Sequence, residues 1–169
     1  MRPQVVQRST KPLSNDHKMV LKKLDDFEKV ISKLDKPDAI MPTLKELGIF
    51  FKGEIWIHFA KEEDVLFPEM EKFMPVEGGP IGVMLLEHEE LRKVNDEFQK
   101  GLEAYVKNPN DTKAVALIKQ NGMNIIQILR QHINKEDNIL FMMAEMHLDN
   151  AQTRNILKAY EEVEKRFHN

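Results

Sequence analysis

The sequence predicts an all-α fold, an antiparallel up-down-up-down four-helix bundle with a short C-terminal helix. Three observations lead there. Four long stretches place apolar residues at spacings of three and four, the period of an amphipathic helix. No segment alternates with the period of two that a strand needs. The chain also repeats itself: His58-Phe-Ala-Lys-Glu62-Glu-Asp-Val-Leu66-Phe67 returns 74 residues later as His132-Ile-Asn-Lys-Glu136-Asp-Asn-Ile-Leu140-Phe141. A fainter pair precedes the two copies, Asp16-His17 with Phe27 and Glu87-His88 with Phe98.

Residues 1–12 read as a polar, proline-containing arm. Ser14 offers an N-cap, and Leu13, His17, Val20, Leu24, Phe27, Ile31 and Leu34 form the stripe of a helix over about 14–35. Lys36-Pro37-Asp38 breaks it. The second helix covers about 42–72, with Leu44, Leu47, Phe51, Ile55, His58, Glu62, Val65 and Glu69 inward and Pro68 set to kink its end. After a Gly/Pro loop, the third helix covers about 81–107 with Ile81, Met84, His88, Leu91, Asn95, Phe98, Leu102 and Tyr105 on one face. The fourth covers about 111–146, with Ile118, Ile125, Leu129, His132, Glu136, Leu140 and Met143 inward and Gly122 a weak point. A short helix over about 151–167 follows, so the expected division is 13–147 for the bundle and 148–169 for a helix packed on it. Short loops between long helices make neighbours antiparallel, and the repeat makes the two hairpins equivalent.

Composition narrows the function. The 169 residues fit one domain with a substantial core. A net charge of -3 gives no reason to expect nucleic acid as a partner. The absence of cysteine removes disulfides, thiolate metal sites and cysteine nucleophiles together. No stretch approaches the ~20 apolar residues that cross a bilayer, and the N-terminus lacks an apolar signal region. The expectation is a soluble, cytoplasmic protein with no membrane partner; no protein partner can be read.

The repeat carries the chemistry. Residues four apart on a helix differ by ~40° in azimuth, so His58 with Glu62, and His132 with Glu136, each present an imidazole and a carboxylate on one face. All lie within apolar stripes. In an antiparallel bundle His17 and His88, near the starts of their helices, share an end with both His-x-x-x-Glu pairs. Burying four imidazoles and two carboxylates without a counterpart costs several kcal/mol for each uncompensated group. Divalent cations remove that cost. Nitrogen and oxygen ligands without sulfur suit iron, manganese or zinc, and two carboxylates bridging a metal pair favour iron. A ferritin-like site is excluded because no Glu-x-x-His occurs. A lone histidine on an apolar face is more often a satisfied core residue; four at one level beside two glutamates reverse that prior. Trp56 and the ten methionines read as core packing.

The ordered pattern His17 … His58-x-x-x-Glu62 … His88 … His132-x-x-x-Glu136 resembles the hemerythrin-like family, the HHE cation-binding domains, over roughly 13–147. The resemblance implies two iron ions bridged by Glu62, Glu136 and an oxo or hydroxo group, with zinc or manganese as substitutes. It also implies O₂, NO or peroxide as the small partner. Two departures matter. Oxygen carriers of the family have His-x-x-x-His on the third helix, whereas here Arg92 follows His88 by four. One metal then keeps an open or water-filled position. Arg92 either hydrogen-bonds an exogenous anion or a bridging glutamate, or turns outward to Asp96. The carriers also use His-x-x-x-x-Asp on the fourth helix, which selects Asp137; other members use the glutamate at i+4, here Glu136. In a regular helix Asp137 lies ~140° from His132, which favours Glu136, and a bulged helix would reverse the choice. Glu63 and Glu89 are candidate partners for a ligating histidine.

The functions compatible with this pattern are a sensor, carrier or scavenger of O₂, NO or a related oxidant; a di-iron enzyme reducing peroxide or NO or acting as an oxidase; and iron storage or handling. Whether the chain is an enzyme is left open by the residues. The family's cluster-repair members carry a further N-terminal cysteine-bearing domain, which weighs against repair as the expectation here.

Overall fold

A computed structural model describes residues 8–168. The described residues form α1 (Lys11–Ile31), α2 (Pro37–Lys52), α3 (Glu54–Lys61), α4 (Phe67–Met70), α5 (Pro80–Lys107), α6 (Thr112–Lys135), α7 (Phe141–His147) and α8 (Asn150–His168), with π-helical turns at Glu62–Leu66 and Glu136–Leu140. The four arms of the bundle are α1; α2 to α4; α5; and α6 to α7. Each packs beside the next, and α1 closes the ring against α6. The first seven residues of the expected arm lie outside the described residues.

Helix ends follow local chemistry. The first helix starts at Lys11 rather than about 14, with Pro12 in its first turn, where a missing N–H costs nothing. Ser14 is therefore inside the helix, and its hydroxyl reaches Asp137 instead of capping. Pro37 likewise opens α2 at its first turn, so the second arm begins five residues earlier than expected. Gly53 breaks that arm between α2 and α3. The Phe51 carbonyl beside this break accepts from Trp56 Nε1 and from Asn95 Nδ2, each at 2.8 Å. Asp111 caps α6, accepting from the backbone of Lys113 and Ala114. Gly122 proves to be a contact point rather than a bend: a β-carbon there would lie 2.7 Å from Ile31 Cδ1 and 2.9 Å from Phe27 Cζ.

All expected inward residues of α1 and α5 are buried, but two expectations fail further along. Met70 replaces Glu69 inside, and Ala144 replaces Met143. The cause is shared. Buried residues step by four through His58, Glu62, Leu66, Met70 and through His132, Glu136, Leu140, Ala144. Each α-helical step of four overshoots a full turn by about 40°, so three in a row drift by about 120°. A single π turn takes in the extra residue and restores the register. It does so where the Phe67 N–H reaches the Glu62 carbonyl and the Phe141 N–H reaches the Glu136 carbonyl.

Two apolar clusters fill the bundle. The larger includes Leu24, Phe51, Ile118 and Leu129. Phe27 and Phe98, equivalent in the repeat, meet within it with ring centroids 4.9 Å apart, which places the pseudo-two-fold relation in the core. The smaller includes Leu13, Leu66, Met84 and Leu140, and α8 contributes Ile156, Tyr160 and Val163 to it. A polar layer separates the two. Among the described residues, no helix is long and apolar enough to cross a membrane.

Candidate metal centre

That polar layer holds all six residues that the repeat singles out. His17 comes from α1, His58 from α3, His88 from α5 and His132 from α6; Glu62 and Glu136 open the two π turns. None is more than 4% exposed, so bulk solvent does not compensate them. They form two groups that share Glu62: His17, His58, Glu62 and Glu136 in one, and Glu62, His88 and His132 in the other. Within each group one nitrogen or oxygen from every residue lies within 4.8 Å of the others. The imidazoles pair as the repeat does, His17 with His58 and His88 with His132, both with centroids 4.9 Å apart.

Glu62 spans the groups. Its Oε1 lies 2.7 Å from His58 Nε2, while Oε2 lies 3.5 Å from His88 Nε2 and 4.0 Å from His132 Nε2. Glu136 Oε1 lies 3.0 Å from His132 Nε2 and 3.3 Å from His17 Nε2. Glu136 occupies this position rather than Asp137, although the helix is bulged. The Glu136 N–H still reaches the His132 carbonyl in α-helical fashion, so the bulge begins after the residue it would have displaced.

The outer ring nitrogens form a circuit around the bundle, each held by the preceding arm. Asp16 of the first arm accepts from His58 Nδ1 of the second at 3.0 Å. Glu63 of the second accepts from His88 Nδ1 of the third at 2.8 Å. Glu87 of the third faces His132 Nδ1 of the fourth at 3.4 Å, a looser approach. Asp137 of the fourth accepts from His17 Nδ1 of the first at 2.8 Å. Three of these carboxylates are backed by a cation: Lys61 on Asp16 at 3.5 Å, Arg92 on Glu63 at 3.2 Å, and Lys135 on Glu87 at 2.7 Å. Asp137 has the Ser14 hydroxyl instead, at 3.2 Å.

This circuit fixes what the inner atoms present. A proton on Nδ1 leaves Nε2 with a lone pair aimed inward. Lone pairs then face carboxylate oxygens, and His88 Nε2 faces His132 Nε2 at 3.2 Å. His17 Nε2, His58 Nε2 and all four oxygens of Glu62 and Glu136 have no hydrogen-bond partner among the described residues. Acceptors this close repel unless positive charge lies between them. The proton affinities express the same demand. Burial alone would lower His58, but the charge of Glu62 and the bond to Asp16 outweigh it and push the imidazole up to about 10. His132 is likewise pushed up to about 10, burial being outweighed by the charge of Glu136. His17 and His88 are raised against burial by the carboxylates beside them, Asp137 and Glu136 at His17 and Glu62 and Glu63 at His88. Burial would raise Glu62, yet the neighbouring His58 holds it well below the ordinary carboxylate range. Four imidazole nitrogens, four carboxylate oxygens and no sulfur form a donor set that fits iron, manganese or zinc.

The remaining sequence candidates fall outside the inner layer. Arg92 bonds Glu63 and Glu89 rather than a bridging glutamate or Asp96, and lies over the Trp56 ring, 5.3 Å from its centroid. Glu63 and Asp137 hold histidines, whereas among the described residues Glu89 bonds Arg92 alone. His147 stacks on Phe73 and His168 pairs with Glu164, and neither joins the donor groups of the layer. Sequence reasoning missed Asp16, Glu87, Lys61 and Lys135 as supports. Their signal was present in the repeat: an acid directly before His17 and His88, and a lysine three residues after His58 and His132.

Fold and site together define a helical-bundle domain whose buried histidines and carboxylates can bind cations. Residues 9–144 match the family described as Hemerythrin HHE cation binding domain, and the chain belongs to that family. It is similar to proteins named iron-sulfur cluster repair protein YtfE from Salmonella schwarzengrund and from Salmonella paratyphi B, 34% identical to each over 112 residues. That stretch is 65% of this chain and 50% of each relative, so the chain spans about half the length of the curated relatives it matches. No solved structure matches it.

Proposed function

We propose that this chain is a non-haem di-iron protein of the cytoplasm whose centre binds O₂, NO or a related small oxidant, as sensor, carrier or scavenger. In this reading His17 and His58 hold one iron, His88 and His132 hold the other, and Glu62 and Glu136 bridge them together with an oxo or hydroxo group. The observation that carries it is Glu62, whose two oxygens face imidazoles of different pairs. Iron in such a site supplies exchangeable electrons and a position for an exogenous ligand. The protein orients the donors through the circuit of carboxylates and excludes bulk water. Phe59 lies on His88 with centroids 4.0 Å apart, and Phe141 lies on His17 at 5.4 Å. Beside His58 a cleft of about 20 Å³, lined by Asp16, Ile57, Lys61 and Glu164 among others, has room for one water-sized molecule. Aromatic packing on the rings and so small a cleft suit a diatomic ligand better than an organic substrate. The test is anaerobic titration of the reduced, iron-loaded protein with NO and with O₂, followed by absorption. Ligand-dependent spectra that reverse on gas removal support the reading, and an unresponsive spectrum contradicts it.

A second reading is favoured by the names of the curated relatives: iron handling in the service of iron–sulfur clusters. It predicts transfer of iron from this chain to an apo iron–sulfur protein, which a ligand carrier does not perform. Catalytic consumption of peroxide or NO would make the chain an enzyme.

A further inference from the structure

The C-terminal helix lies beyond the family match, which ends at residue 144, yet it roofs the polar layer. Leu13 stands one turn before His17, Met84 one turn before His88, Leu66 one turn after Glu62 and Leu140 one turn after Glu136. All four point to the same end of the bundle, and all four belong to the smaller apolar cluster. Tyr160 of α8 packs into that cluster and is the one residue of it that carries a hydroxyl. Tyr160 is 3% exposed, and its hydroxyl has no hydrogen-bond partner among the described residues. A buried, unpartnered hydroxyl is destabilising, a cost apolar packing does not return.

The seating of α8 fixes which way that face looks. Glu164, one turn from Tyr160 on the same face, pairs with Lys61, the cation behind Asp16 and His58. Arg166 pairs with Asp64 of the first π turn at 3.0 Å. α8 packs against α3 and the first π turn, the elements that carry His58 and Glu62, and burial, with the charges of Glu62, Glu145, Glu136 and Asp16, keeps the phenol protonated. Phenylalanine would fill the same apolar space; only the hydroxyl is left over.

We propose that Tyr160 is a ligand-binding residue of the metal centre, its hydroxyl donating a hydrogen bond to the small molecule held there. The proposal rests on the di-iron reading above. It makes α8 part of the site and assigns the ligand an acceptor atom on the side facing α8.

The test compares wild type with Tyr160→Phe, both iron-loaded, with azide as the probe. Equal iron content and equal helical circular dichroism are expected. Azide affinity is expected to fall about tenfold, or about 1.4 kcal/mol. The azide stretching frequency should shift on transfer to D₂O in wild type and not in the variant, a readout that packing alone does not move. Unchanged azide affinity and an unchanged isotope shift in Tyr160→Phe overturn the proposal while leaving the di-iron reading intact. So does an iron content that falls while azide affinity holds, since Tyr160 then serves a carboxylate. A phenolate charge-transfer band in wild type that vanishes in the variant also overturns it, in favour of direct ligation. Failure of the wild type to load iron or bind azide overturns the parent reading instead.

Discussion

At the scale of residues, the centre depends on charges that cancel only in a set. His58 shows the sign of the dependence. Its imidazole is raised from 6.5 to about 10 in the folded metal-free protein, so the folded state holds a proton that the unfolded state releases. The resulting stability is fully present below pH 6.5 and is lost as pH rises through about 10; His132 adds to the same window. Glu62, depressed from 4.5, acts oppositely and loses its contribution on acidification. The melting temperature of chelator-treated protein should therefore fall between pH 6.5 and 9.5, and metal should restore it, because metal takes the place of those protons. A flat profile would show that the carboxylates do not hold the imidazoles protonated. The circuit around the rings gives a second prediction. Asp137→Asn and Glu63→Gln each remove a carboxylate that fixes an Nδ1 proton, and each should weaken metal binding by about 10–100-fold. Competition with a chelator measures it, and affinity equal to wild type would mean the rings are oriented by packing alone.

The six inner residues were legible in the sequence because both copies carry the same spacing. Their supports were less so. Asp16 acts on a histidine 42 positions away, and no local period connects the two. Arg92 was read from its place four after His88, which says which face it shares but not that Glu63 and Trp56 stand beside it.

At the scale of elements, the π turns decide which residues reach the core. The step-of-four series ending in Met70 and Ala144 was written in the chain, but a straight helix leads instead to Glu69 and Met143. An extra hydrogen-bonded residue per turn leaves no mark in apolar periodicity until the register has already slipped. The slip has a measurable consequence. Met70 is fully buried, so Met70→Ala should cost about 2–5 kcal/mol, whereas Glu69→Ala at a partly exposed position should stay within about 0.5 kcal/mol. Denaturant unfolding of the two variants decides between the bulged and the straight arm. Similar costs for both, or a larger one for Glu69, would favour the straight helix. Helix starts were misplaced for a related reason: Pro12 and Pro37 begin helices here, while sequence reasoning gave Pro37 only its breaking role.

At the scale of the molecule, the bundle can be regarded as two equivalent hairpins clasped around a layer that neither could bury alone. The circuit from Asp16 through Glu63 and Glu87 to Asp137 passes once around all four arms, so loading the centre should tie every arm to its neighbour. The departures from two-fold symmetry are few and local. Ser14 stands where the other three carboxylates have a cation, and α8 covers one end alone. The central claim is that this layer holds a pair of metal ions, and metal quantification of protein produced in iron-supplemented medium tests it most directly. About two irons per chain are expected, falling to at most about one in Glu62→Ala, where the residue shared by both groups is gone. A wild-type chain without metal, with a single zinc, or with a stoichiometry that Glu62→Ala leaves unchanged would contradict it.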